Sequence, residues 1–95
     1  MKLQEQLSIF RREHRALLAV NFYNAETLAG ILMAARDLDH PVILQVSEST
    51  LKYLGLGAAT AMARAAIDQY RVEAWLHLDH GSSEETVRQC LEAGF

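Results

Sequence analysis

Hydrophobic positions along this chain switch repeatedly between a helical period and a strand-like run. Residues 3 to 13 place Leu3, Leu7 and Phe10 at helical spacing among charges, which predicts a short amphipathic helix. It is expected to act as a lid over the open bottom of a sheet or barrel; a partner-binding helix is the other reading. Ala16-Leu17-Leu18-Ala19-Val20 is then a continuous apolar run ending at Asn21, the pattern of a strand buried on both faces in a parallel sheet. Asn24 is a good N-cap for a helix from Ala25 to Leu38, where Leu28, Ile31, Leu32, Ala35 and Leu38 form one stripe. Pro41 forbids its continuation.

Residues 41 to 46, Pro-Val-Ile-Leu-Gln-Val, read as a second strand ending at Ser47. Glu48 to Gly57 reads as a polar, glycine-containing loop. Ala58 to Tyr70 is alanine-rich and helical, with Met62, Ala63, Ala66, Ile67 and Tyr70 on one side. Residues 73 to 78 form a third strand, after which Ser82 and Glu85 have the spacing of a capping box. Val87, Cys90 and Leu91 give the last helix an apolar face, and Gly94 is placed to cap its end.

Strand–helix alternation of this kind means a parallel sheet with right-handed crossovers. The fold class expected is α/β: an N-terminal helix over residues 1–15, then three β–α units over 16–95, with no linker between them. Three such strands leave edges and one face uncovered. They amount to roughly the first third of a (β/α)8 barrel, which takes about 250 residues. The sequence therefore reads as one incomplete barrel segment, cut short by a truncated gene, a deletion or a split.

Composition narrows the partners. Of 95 residues, 51% are hydrophobic and 22% charged, as in a folded globular protein. The net charge of −3, with no basic run, argues against nucleic acid. A lone cysteine, Cys90, suits a reducing cytoplasm and a packing role. No signal-peptide core or membrane-length apolar run is present, so a cytoplasmic protein without a membrane partner is expected.

The chemistry concentrates in Leu76-His77-Leu78-Asp79-His80-Gly81. A carboxylate and an imidazole leave an apolar strand together, at the strand end where α/β proteins place reacting groups. A hydrogen-bonded turn capping the strand is the bland alternative. His77 reads as a core or supporting histidine more than as a ligand. The His-x-His-x-Asp-His motif of metallo-β-lactamase-like hydrolases is missed because Trp75 stands where its first histidine belongs. Gly55-Leu56-Gly57 follows a loop and lacks a third glycine, so it is no dinucleotide site. Lys52 is expected to be a solvated loop lysine.

From about Ala19 to Phe95 the chain resembles the N-terminal part of class II, zinc-dependent ketose-bisphosphate aldolases. The resemblance is carried by Ala19-Val20-Asn21-Phe22-Tyr23-Asn24, by residues 41 to 47, and by Lys52-Tyr53 with Gly55. Its most specific block is Leu76-His77-Leu78-Asp79-His80-Gly81-Ser82-Ser83, with Ala93-Gly94-Phe95 behind it. What the resemblance implies is a (β/α)8 barrel that reversibly cleaves fructose- or tagatose-bisphosphate to dihydroxyacetone phosphate and glyceraldehyde 3-phosphate. In such enzymes zinc polarises the ketone, and no Schiff-base lysine is used. The resemblance implies that Asp79 is the catalytic acid/base and His80 the first zinc ligand. It implies that Asn21 and Ser47 face the substrate, Ser47 on the phosphate side.

The remaining zinc-binding histidines and phosphate loops of that family lie beyond residue 95. His14 and His40 precede their strands, so a strand length of about 17–20 Å separates them from His80, against a metal–nitrogen bond of roughly 2 Å. Weak or absent zinc binding and no activity are expected of the isolated chain. A phosphorylated ketose is the implied substrate, and a homo-oligomer or a complementing polypeptide the implied macromolecular partner. The runner-up is a non-catalytic binding or assembly subunit that keeps this third of the barrel as a scaffold.

Overall fold

A computed structural model describes residues Met1–Phe95. The elements, in chain order, are α1 (Leu3–Arg12), β1 (Ala19–Asn21), α2 (Ala25–Asp37), β2 (Val42–Ser47), α3 (Glu48–Leu54), α4 (Leu56–Tyr70), β3 (Ala74–Asp79) and α5 (Glu84–Ala93). The strands form one parallel sheet in the order β1-β2-β3. Asn21 lies beside Gln45, Gln45 beside His77, and Ser47 beside Asp79.

Strand alternation sorts the residues onto two unlike faces. Val42, Leu44, Val46 and Leu76 point into the core, where they meet Leu28, Leu32 and Ala35 of α2, Leu51 of α3, Ala59 and Ala63 of α4, and Cys90 of α5. Alanine at positions 59 and 63, both essentially inaccessible, lets α4 approach the sheet closely. The opposite face carries Asn21, Gln45, Ser47, His77 and Asp79 and has no helix over it; its residues are half-buried or exposed. One covered face and one open face are what three units of a barrel wall must have.

Helix α1 sits beneath the starts of the strands. The Phe10 ring packs tilted against His40, which precedes β2, with centroids 5.4 Å apart, and the Met1 amine pairs with Glu73, which precedes β3. The Trp75 indole N–H donates to the Met1 carbonyl. This is the covering role expected of it, although Gln6 and not Leu7 completes the buried stripe with Phe10.

Three local readings change. The first strand is shorter than its apolar run: Leu18 is 64% exposed because no strand pairs on that side of the sheet. The segment after Ser47 is helical. Ser47 caps α3 by accepting the Thr50 N–H, and Leu51 is buried while Leu54 packs on the core, apolar spacing hidden among polar neighbours. Gly55, at φ 89°, breaks α3 from α4, a conformation that suits glycine. The last helix is capped by Ser83 accepting from Thr86, one residue later than the expected Ser82–Glu85 box, because Ser82 is engaged elsewhere. Asn24 and Gly94 cap their helices as expected.

Candidate active site

The three strands end at a common rim, and their last residues meet there. The Gln45 amide donates to Asn21 Oδ1 at 3.0 Å, and Asn21 Nδ2 donates to Asp79 Oδ2 at 3.0 Å. One carboxylate oxygen of Asp79 is thus held by a relay that crosses the whole sheet. Its other oxygen, Oδ1, lies 3.6 Å from His80 Nε2, too far for a good hydrogen bond but close enough for charge interaction. The Asp79 side chain is 32% exposed and the His80 imidazole 96%. A held carboxylate with one free oxygen beside an open imidazole can exchange a proton with a hydroxyl brought to the rim.

His80 reaches this position through an unusual backbone, with φ 65°. Three other non-glycine residues have positive φ, and each of them, His14, Asp39 and Arg71, terminates a helix. His80 alone follows a strand. Gly81 completes the turn: a Cβ there would lie 3.0 Å from Leu78 Cδ2 and 3.1 Å from Val87 Cγ2, so a side chain would push against the base of α5.

Ser47 stands beside Asp79 in register, and its hydroxyl is occupied by the first turn of α3, bonded to Thr50 and Ser49. Next to it is a residue the sequence reading passed over. The Glu48 carboxylate accepts from Ser82 N–H at 3.2 Å, Ser82 Oγ at 2.8 Å and Thr86 Oγ1 at 2.8 Å. These hydrogen bonds, Ser82 first, hold its carboxyl below the ordinary range. Glu48 thereby ties the end of β2 to the turn that carries His80. An acidic residue directly after a strand-end serine was the available signal.

Asn21, Ser47, Asp79 and His80 are therefore all at one rim. His77 is exposed on the open face, in the row of Asn21 and Gln45, which corrects the core half of its reading as a core or supporting histidine. His40 lies at the opposite end of the sheet, against Phe10. Catalytic zinc takes about three protein ligands. No group of three His, Cys, Asp or Glu side chains is assembled anywhere, so these residues do not by themselves fit a zinc ion. His80 can supply one ligand.

The family model described as "Fructose-bisphosphate aldolase class-II" matches residues 1–95. The fructose-bisphosphate aldolase of Thermus caldophilus is 44% identical over 85 residues, which are 90% of this chain and 28% of that protein. The 6-phospho-5-dehydro-2-deoxy-D-gluconate aldolase of Bacillus subtilis (strain 168) is 37% identical over 98 residues, covering 100% of this chain and 34% of that one. The chain thus spans about a third of the length of the curated relatives it matches. The crystal structure of the YdjI aldolase from Escherichia coli K12 superposes with a TM-score of 0.90 at 23% identity, over 100% of this chain and 37% of that one. The fold is accordingly the first part of an aldolase barrel.

Proposed function

The chain belongs to the class II fructose-bisphosphate aldolase family, and from that premise we propose that it carries the proton-transfer side of a zinc-dependent aldolase site. The reaction is reversible aldol cleavage of a ketose bisphosphate, fructose or tagatose, to dihydroxyacetone phosphate and glyceraldehyde 3-phosphate. The observation that carries this reading is the hydrogen bond from Asn21 to Asp79, which fixes one carboxylate oxygen at the rim and leaves the other free beside His80.

In this reading Asp79 takes the proton from the substrate hydroxyl as the carbon–carbon bond breaks, and returns it in the synthetic direction. Asn21 orients that carboxylate and faces the substrate. Ser47, one strand over, turns toward a phosphate once its hydroxyl exchanges its bonds with Thr50 and Ser49 for the ligand. His80 gives one imidazole to the metal, whose other ligands come from outside these 95 residues. When bound, zinc acts as a Lewis acid on the substrate carbonyl. The isolated chain is inactive. Cys90 in the core is reduced, as suits the cytoplasm.

The test joins this chain in one polypeptide to the part of the Thermus caldophilus aldolase that follows its matched region. The chimera is expected to cleave fructose 1,6-bisphosphate in the presence of zinc. Asp79→Asn should lower kcat by about 100-fold or more, the range of a lost acid/base group. His80→Ala should lower the zinc content. A chimera whose turnover ignores Asp79→Asn removes the role assigned to it. Stoichiometric zinc and aldol cleavage in the purified 95-residue chain would overturn the ligand argument.

A further inference from the structure

A cavity of about 330 Å³ lies at the other end of the sheet from the Asp79 rim, between α1, the end of α2 and the turn from α4 into β3. Small-molecule sites usually hold about 300–1,000 Å³, so this one suits a small ligand. Gln6 of α1 lines it and is only 9% exposed, yet its side-chain amide bonds to nothing in the chain. No side-chain polar atom that is sealed from solvent lacks a partner, so the Gln6 amide opens into the cavity it lines. Amides this deep in a protein are nearly always paired. The partner of this one must come from outside.

The charges around that amide say what would enter. Arg36 is paired with Asp37, and Glu73 with the Met1 amine. Arg71 and Asp39 also line the cavity, and neither has an ion partner. His40 Nδ1 donates to the Pro41 carbonyl at 2.8 Å, which leaves Nε2 as an acceptor. Two arginines face two carboxylates, so a phosphate or a bare cation would gain little from the wall as a whole, whereas a molecule carrying both signs would gain at each end. Buried Ala35 and Val72 add an apolar part. We propose that this cavity binds a free α-amino acid with an aliphatic side chain. Its carboxylate pairs with the Arg71 guanidinium and its ammonium with Asp39 and His40 Nε2, the Gln6 amide bonds to it, and its side chain lies against Ala35 and Val72. The site shares no residue with Asn21, Ser47, Asp79 and His80, and stands or falls apart from the aldolase reading.

The test titrates the chain with L-leucine and follows backbone amide shifts by NMR. Saturable shifts are expected at Gln6, Asp39 and Arg71, half complete at about 10 mM or below, with none at Asp79 or His80. 4-Methylpentanoate lacks the ammonium and 3-methylbutylamine lacks the carboxylate; each should bind at least about tenfold more weakly. Arg71→Gln and Asp39→Asn alter exposed side chains, and asparagine tolerates the left-handed backbone that Asp39 adopts at φ 50°. Each should weaken leucine binding by about tenfold or more. Gln6→Leu should do the same while raising the urea midpoint, because it removes a buried amide that no group in the chain satisfies. Binding and stability then move in opposite directions. The proposal is overturned by shifts that do not saturate, by 4-methylpentanoate or inorganic phosphate binding as tightly as leucine, or by leucine binding that survives Gln6→Leu. A lowered midpoint in Gln6→Leu also overturns it, since the amide would then serve the fold.

Discussion

Asn21 on the first strand donates to Asp79 on the third, across 58 residues of sequence and over the top of the strand between them. Because Asn21 also accepts from Gln45, its amide is held at both ends and cannot turn without losing one bond. The relay couples sheet register to the direction of the carboxylate: slipping β1 by one residue would put Asn21 on the helix-covered face.

Replacing Asn21 by alanine should therefore do two things. The half-buried relay loses both its bonds, at a cost of about 1–3 kcal/mol because one acceptor is ionised. In the chimera, kcat should fall while KM for the bisphosphate moves less, since the freed carboxylate no longer has one direction. Urea denaturation of the chain and steady-state kinetics of the chimera read the two effects separately.

Glu48 sets an acid limit on the same rim. Its hydrogen bonds from Ser82 and Thr86 lower its carboxyl pKa in the folded chain. A lowered pKa means the stabilisation is fully present above the ordinary value of 4.5 and is lost as pH falls through the folded value. Glu48→Gln cannot ionise. The stability difference between wild type and Glu48→Gln should be largest near neutrality and shrink below 4.5, followed by denaturation at a series of pH values. Protection of the Ser82 amide, corrected for the intrinsic slowing of exchange in acid, should fall over the same interval.

Much of this was legible in the residues because local signals and packing agree. Pro41 opens β2, Asn24 and Gly94 cap their helices, and the stripe Leu28, Leu32, Ala35 lies in the core. The misreadings came where tertiary context outranks local pattern. Leu17 and Leu18 look like buried strand but lie where the sheet has no neighbour. Ser82 has the spacing of an N-cap, yet the carboxylate of Glu48, 34 residues away, takes its hydroxyl and leaves the cap to Ser83. Asp79 and His80 could be found from position at a strand end; the Asn21 relay could not, because register between β1 and β3 is set only through β2.

Cys90 tests the core independently. Burial first, and then the Glu48 carboxylate, push its thiol above the ordinary range, and it is only 3% exposed. The thiolate is the reactive form, so alkylation of the native chain by iodoacetamide at mildly alkaline pH should be at least about tenfold slower than in urea. Equal rates would mean that α5 does not pack as described.

The last prediction concerns the backbone of His80. A non-glycine residue at φ 65° costs about 1–2 kcal/mol relative to the right-handed regions. The other three residues of this kind recover that cost by ending helices, whereas His80 follows a strand, and its 96% exposed side chain contributes no packing. His80→Gly should relieve the strain and, after the extra freedom glycine gives the unfolded chain, leave the protein unchanged or more stable by up to about 1 kcal/mol. His80→Ala keeps the strain and should not stabilise. In the chimera both variants should lose zinc, so that metal content and stability part company at this one position. Denaturant midpoints for the two variants, taken with their zinc stoichiometry, decide it. A strained imidazole whose removal improves the fold is held there for what it binds, and a clear loss of stability in His80→Gly would show instead that the residue is structural.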